Sequence, residues 1–321
     1  MKWPILSLVV VAAAARAVAA DPYEIAVIPK GTTHEYWKAL HAGVNKAATE
    51  LNAAGIPVHI IWKGPLREDD REQQMQVVEN FIGRQVSGIV LAPLDNRALV
   101  APVEEAVGAR IPVVIIDSGL DTKVLSSFIA TNNREGGRIA GRRLGSLLGG
   151  KGRVILLRYA VGSNSTEERE AGFLEVMRRE FPGIVLLSTD QHAGATRDTA
   201  RRVAETLLDR YGHEVDGIFA SNESASSGML LALRDAGLAG GRVKFVVFDS
   251  GDLLDAGLKS GDIQGLVVQN PVNMGYLGVK TVVAVLRGEA VPPVIDTGVG
   301  LVTPENMNQP ANVALLYPPE E

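Results

Sequence analysis

Cysteine is absent from all 321 positions, which excludes a disulfide framework, a thiolate metal centre, a cysteine nucleophile and a lipid carried on a cysteine near the N-terminus. Histidine is scarce, with five residues. None of their spacings matches a zinc motif of the H-E-x-x-H kind, so no metal and no cofactor is expected. A glycine-rich phosphate loop is also missing. The turn after the first strand-like run, "PKGTTHEYW" (29–37), has a single glycine, whereas a dinucleotide fingerprint or P-loop needs several to bring backbone against phosphate. The glycines of "GSLLGGKGRV" (145–154) fall between a helix and a strand and read as a helix end and turn. "SNESASSG" (221–228) lacks the G-x-S-x-G of a nucleophile elbow, and nothing else requires catalysis. No excess of positive charge offers a nucleic-acid footprint, since 32 Lys and Arg face 37 Asp and Glu for a net charge of −5.

What is present begins with "MKWPILSLVVVAAAARAVAA". Lys2, an apolar run from Ile5 to Ala15 and small residues at Val18 and Ala20 form a secretory signal with cleavage after Ala20. The run is shorter than the roughly 20 residues of a membrane-spanning helix, and Arg16 interrupts it. A periplasmic location fits an exported chain with no cysteine to lipidate. About 300 mature residues are large for one core and natural for two domains.

Short runs rich in Val and Ile recur at "EIAVIP" (24–29), "VHIIW" (58–62), "GIVLAP" (88–93) and "PVVIID" (112–117). Near-continuous apolar runs of this length read as parallel strands buried on both faces. Helical spacing fills Tyr36 to Ala53, Asp69 to Gln85 and Arg97 to Ala109, giving the βαβ alternation of a doubly wound parallel sheet. After "SSFIAT" (126–131) the alternation restarts with "RVILLRY" (153–159), "IVLLST" (184–189), "GIFASN" (217–222), "KFVVFD" (244–249) and "GLVVQN" (265–270). The chain therefore reads as two similar α/β halves.

Open sheets of this type bind ligands beyond the carboxyl ends of their strands. Nearly every predicted strand ends in an amide, carboxylate or hydroxyl: Asp95 and Asn96, Asp117 and Ser118, Asn132 and Asn133, "SNSTEER" (163–169), Asn222 and Glu223, Asp249 and Ser250, Gln269 and Asn270. Helix N-caps account for any one of them. Together with His34, Tyr36, Trp37 and Arg169 they exceed what capping needs. Planar amides, carboxylates and a guanidinium pair with hydroxyls, and aromatic rings cover sugar C–H faces.

These blocks, in the order "IAVIPKGTTHEYWKALHAGVNKAA", "GIVLAPLD", "IPVVIIDS", "IATNNREGGRIAG", "EREAGF", "GIFASNE", "VVFDSGD" and "VVQNPVNMGYLGV", resemble the periplasmic sugar-binding proteins of ABC importers, in the ribose- and galactose-binding cluster. The resemblance spans essentially the whole mature chain. It implies two doubly wound parallel-sheet domains joined by a three-crossover hinge, the type I periplasmic binding protein fold. The implied division is 21–131 plus 271–298 for the N-terminal domain and 132–270 plus 299–321 for the C-terminal domain. Crossings would fall near Thr131 to Asn133, Gln269 to Pro271 and Gly298 to Val302.

The resemblance implies ligand contacts at His34, Tyr36 or Trp37, Asp117, Asn133, Arg169, Asn222, Asp249 and Gln269. It also implies a monosaccharide or polyol ligand, an ABC permease as partner, and a monomer. A receptor for chemotaxis or for a quorum signal would use the same fold. Departures matter for specificity. The ribose-type pattern has Asn near His34 and an Asp-Arg pair at Asp117-Ser118, and it places a second-domain aromatic where this chain has "HAGAT" (192–196), so plain D-ribose is not implied. Lys30 with Arg169 could hold a carboxylate or phosphate on a sugar acid, but a solvated loop charge is the simpler expectation for Lys30. Thr32 and Thr33 are expected to cap the first helix.

Overall fold

The structure, a computed structural model, describes residues 21–317. The signal segment lies outside the described residues. Two six-stranded sheets carry the fold. The first takes β1 (Tyr23–Ile28), β2 (Val58–Trp62), β3 (Gly88–Leu91), β4 (Val113–Ile116), β5 (Ser127–Ala130) and β11 (Val294–Asp296) in the order β11-β5-β4-β3-β1-β2. The second takes β6 (Gly152–Leu157), β7 (Ile184–Ser188), β8 (Gly217–Ala220), β9 (Lys244–Phe248), β10 (Gly265–Val268) and β12 (Gly300–Val302) in the order β12-β10-β9-β8-β6-β7. All these pairings are parallel except β10 with β12. The fold class read from the sequence is borne out.

Strands buried on both faces explain the continuous apolar runs. Ile25 and Val27 of β1 enter one core and Ala26 and Ile28 the other. In β9, Phe245 and Val247 are divided from Val246 and Phe248 in the same way. Each large apolar side chain so buried contributes about 1.5–3 kcal/mol.

The helices of the first half are α1 (Glu35–Ala53), α2 (Arg71–Gly83) and α3 (Val100–Gly108). Those of the second are α4 (Asn133–Leu147), α5 (Asn164–Glu180), α6 (Arg197–Tyr211), α7 (Glu223–Asp235) and α8 (Asp252–Ser260). After β10 the chain returns to the first sheet through α9 (Pro271–Leu286), which packs on α1, β3, β4 and β5. After β12 it ends in α10 (Pro310–Leu316). The chain thus passes between the sheets after β5, after β10 and between β11 and β12.

Several strand ends do cap helices. Asn132 accepts from Glu135 N, Asn222 from Ala225 N and Asn270 from Asn273 N. Thr32 and Thr33 do not. The N-cap of α1 is His34, with no side-chain cap bond, and the Thr33 hydroxyl points to Leu66 O at 3.5 Å.

Two helix pairs touch backbone to backbone. A Cβ placed on Gly137 of α4 would lie 1.8 Å from Arg169 O of α5, and one on Gly43 of α1 would lie 1.9 Å from Val272 O of α9. Gly137→Ala is expected to cost at least the 1–3 kcal/mol typical of overpacking (~3 kcal/mol, because backbone is struck), and to displace Arg169. Urea unfolding checks this, and an unchanged midpoint would contradict it.

Candidate ligand-binding cleft

In each sheet the strand order reverses once, at β1/β3 in the first and at β6/β8 in the second. The carboxyl ends on either side of these points face one another across a cleft. Its cavity is lined from the first half by Lys30, His34, Tyr36, Trp37, Glu68 and Asp117, and from the second by Tyr159, Ser163, Ser165, Thr166, Arg169, Asn222, Glu223, Asp249 and Gln269.

The two aspartates occupy equivalent places, one past the end of β4 and one past the end of β9. Both are in the left-handed region, Asp117 at φ 64° and Asp249 at φ 70°. Non-glycine residues held there store strain that concentrates at functional sites. In each, the backbone N–H donates to the neighbouring strand, Asp117 to Ile129 O and Asp249 to Val267 O, and the turn aims the carboxylate into the cleft.

Asp117 Oδ1 accepts from Tyr36 OH at 2.9 Å, and Oδ2 pairs with Lys30 Nζ at 2.7 Å. Lys30 is 4 % exposed and also donates across the cleft to Ser165 Oγ at 3.2 Å. The expectation of a solvated loop charge is therefore corrected: Lys30 supplies the cation beside Asp117 that Ser118 lacks.

Glu68 collects three donors. Its Oε1 takes Trp37 Nε1 at 2.5 Å and His34 Nδ1 at 3.0 Å, and its Oε2 takes Tyr159 OH from the opposite half at 2.5 Å. Burial alone would lower the His34 imidazole, but the hydrogen bond and charge of Glu68 outweigh it and raise the group to about 9. Burial would raise Glu68, but His34, Lys30 and Tyr159 bring it down to about 2.

Arg169, 2 % exposed, donates from Nε to Asn133 Oδ1 at 2.8 Å and from one terminal nitrogen to Ser221 O at 3.0 Å. That nitrogen lies 3.6 Å from Asp249 Oδ2, and the guanidinium carbon sits 3.7 Å over the Phe248 ring. Asp249 also accepts from Gln269 Nε2 at 2.7 Å and from Glu223 N at 3.2 Å. Burial raises the Asp249 carboxyl above its ordinary range, with Arg169 opposing it.

Of the residues expected at the site, His34, Tyr36, Trp37, Asp117, Arg169, Asn222, Asp249 and Gln269 share the cavity. Asn133 does not line it. It stands behind Arg169 and orients the guanidinium, because the first residue of α4 packs onto α5. Tyr36 and Trp37 meet edge to face at 4.9 Å, a corner in which each ring is fixed by its own polar bond. Sequence reasoning missed Glu68 and Tyr159 and discounted Lys30. An aromatic at the end of "RVILLRY" was the available signal for Tyr159. Glu68, inside "REDD", reads as one more solvated charge.

Further bonds close the halves over the cavity. Asp252 N donates to Glu35 Oε2 at 2.8 Å, Asn96 N to Gly162 O at 2.9 Å, and Gly119 N to Asn164 Oδ1 at 3.1 Å.

A sequence profile of the periplasmic binding protein domain matches residues 25–290. The chain belongs to this family. As a periplasmic binding protein it is similar to the D-ribose/D-allose-binding protein of Pseudomonas aeruginosa, at 28% identity over 289 residues that cover 87% of this chain and 88% of that protein. Among solved structures it resembles a carbohydrate transporter solute-binding protein from Agrobacterium radiobacter in complex with D-arabinose. The TM-score is 0.87 and the identity 36%, covering 93% of this chain and 100% of that one. An ABC transporter solute-binding protein from Agrobacterium vitis with bound D-fucose superposes with TM-score 0.85 at 33% identity, covering 92% and 100%. The resemblance read from the sequence is borne out, and with it the expectation of a transport component that carries out no reaction. Periplasmic binding proteins work outside the inner membrane. Among the described residues no helix is long and apolar enough to cross a membrane.

The His34–Glu68 pair makes stability depend on pH. A histidine raised from 6.5 to about 9 contributes stability that is fully present below about pH 6.5 and is lost as pH climbs to about 9. The amount is on the order of 3 kcal/mol. Glu223 and Asp255, both raised to about 7, slope the same way but finish earlier, so the upper part of the window belongs to His34. The melting temperature is expected to fall from pH 7.5 to 9, and to fall less in His34→Gln. Equal slopes in the two proteins would contradict the pairing.

Proposed function

We propose that this periplasmic binding protein takes a neutral monosaccharide or polyol into the cleft and delivers it to the membrane subunits of an ABC importer. The observation that carries the reading is the pairing of the cavity's cations: Lys30 with Asp117, Arg169 with Asp249, and His34 with Glu68. Paired charges of this kind hold carboxylates and donors in fixed directions for hydroxyls and leave no free cation to neutralise a ligand anion. The solved relatives bound to D-arabinose and D-fucose support the sugar class. The carboxylate-binding role considered for Lys30 with Arg169 has no support in this pairing.

In this reading the halves, 21–131 plus 271–298 and 132–270 plus 299–321, move as bodies about the three crossings, and closure is driven by contacts that only the closed form makes. The protein acts as a monomer in the periplasm, exported by its N-terminal signal. His34, Tyr36, Trp37, Asp117, Arg169, Asn222, Asp249 and Gln269 hold the ligand, and Asn133 positions Arg169.

A thermal-shift screen against pentoses, hexoses, polyols and sugar acids tests this, because a ligand of the folded state stabilises it by about 2.7 kcal/mol at a hundredfold excess over Kd. Neutral sugars or polyols should raise the melting temperature. A response to sugar acids alone, or to nothing in the panel, would overturn the proposal.

A further inference from the structure

Four carboxylates line the cavity: Glu68, Asp117, Glu223 and Asp249. In three of them each oxygen faces a donor or a cation. Glu68 holds His34, Trp37 and Tyr159, and Asp249 holds Gln269, the Glu223 backbone and Arg169. Asp117 accepts from Tyr36 on Oδ1, while its Oδ2 takes no hydrogen bond and is held by the Lys30 ammonium at 2.7 Å. Glu223 is different. It is the first residue of α7, it is 5 % exposed, and its Oε2 is buried with no partner. Its Oε1 lies 3.9 Å from an Arg197 guanidinium nitrogen, beyond hydrogen-bond distance. Gln269 Oε1, on the same wall of the cavity, is likewise buried and unpartnered. A buried acceptor without a donor costs its desolvation with nothing in return, and such a cost is retained where something else supplies the donor.

We propose that Glu223 is a ligand-contacting residue that, with Gln269, requires two hydroxyl donors on the bound sugar and rejects sugars carrying a carboxylate. This deepens the sugar-binding reading and rests on it. The charge balance points the same way. Three cations, Lys30, His34 and Arg169, are matched by Glu68, Asp117 and Asp249. Glu223 is the fourth carboxylate and has no cation of its own inside the cavity. An anionic ligand would add to that excess, while a hydroxyl would relieve the orphaned oxygen.

The groups facing Glu223 are His34 and Glu35 from α1, Glu68 from the loop after β2, Arg197 from α6 and Asp249 from the end of β9. Burial raises Glu223 to about 7; His34 opposes that, while Asp249, Glu35 and Glu68 add to it. A ligand hydroxyl donates more strongly to the ionised than to the neutral acid. Sugar binding therefore releases a proton, and affinity rises with pH through neutrality.

The test is calorimetry on wild type, Glu223→Gln and Glu223→Asp. The probes are D-arabinose, D-ribose, D-allose, D-fucose and xylitol, with D-arabinonate and D-galacturonate as acids, at several pH values from about 6 to 8. Wild type should bind a neutral probe and neither acid. Glu223→Gln should bind that probe about tenfold or more weakly, lose the rise with pH, and narrow the gap between neutral and acidic probes. Its unliganded melting temperature should match or exceed wild type, because a destabilising buried carboxylate is gone. Glu223→Asp keeps the charge but withdraws the oxygen, so it should weaken binding and keep the pH slope. Wild-type affinity and pH slope in Glu223→Gln would remove this inference alone. Wild type that binds no neutral probe would remove the sugar-binding reading with it.

Discussion

Arg169→Ala is expected to abolish measurable sugar binding and to lower folding stability by about 3–5 kcal/mol, the range for removing one partner of a buried ion pair. The size follows from what the guanidinium does. It sits over the Phe248 ring and spends its donors on Asn133, on Ser221 O and towards Asp249. Alanine leaves Asp249 buried with only Gln269 and a backbone amide, so a carboxyl already raised by burial takes up a proton and turns from acceptor to donor in the cleft. Arg169→Lys separates the two effects. A lysine keeps the charge but cannot reproduce the planar fork or the stacking, so folding should recover in part and binding should not. Urea unfolding and calorimetry on the same preparations read both quantities. Wild-type affinity in Arg169→Ala would show that the guanidinium serves the fold alone.

Glu68→Ala comes next in expected size. Three buried donors, Trp37 Nε1, His34 Nδ1 and Tyr159 OH, lose one acceptor. Each orphaned donor costs about 1–3 kcal/mol before relaxation. Partial rescue by water and by movement of Tyr159 makes about 3 kcal/mol the expected total. The His34 imidazole should drop from about 9 to the ordinary histidine value or below, because burial is then unopposed by the Glu68 hydrogen bond and charge. Proton NMR titration of His34 reads this directly. Tyr159 belongs to the opposite half, so the closed arrangement also loses a contact and sugar affinity should fall with it. A variant in which His34 still titrates near 9 would contradict the role given to Glu68.

The legible part of the fold was the part made of strong periodicities. β2 falls on the residues its pattern predicted and α1 starts one residue before its predicted span and ends with it, because two-faced burial and an amphipathic helix each leave a signature within one segment. α9 was not recognised. "PVNMGYLGVKTVVAVL" packs against a helix and three strands, so it is apolar on most sides and shows no polar stripe. β11 and β12 are three residues each, too short for any pattern, yet they mark where the chain returns to each sheet.

The site divides along a similar line. Asp117, Arg169, Asn222, Asp249 and Gln269 were found because position after a strand is a local property that the topology converts into proximity. Lys30 and Glu68 were not, because a charge in a loop reads as solvated until its partner is known, and their partners Asp117 and Tyr159 come from distant segments. Asn133 shows the converse. It is correctly placed after a strand, but α4 meets α5 so closely at Gly137 that its amide is committed to Arg169.

Calorimetric titration of the wild-type protein with the neutral sugars named above is the most direct measurement on the cleft. One sugar should bind at a single site per chain with an affinity of micromolar or tighter, and the heat should vanish in Arg169→Ala. No heat from any neutral sugar or polyol, or the same heat in both proteins, would contradict binding at this cleft.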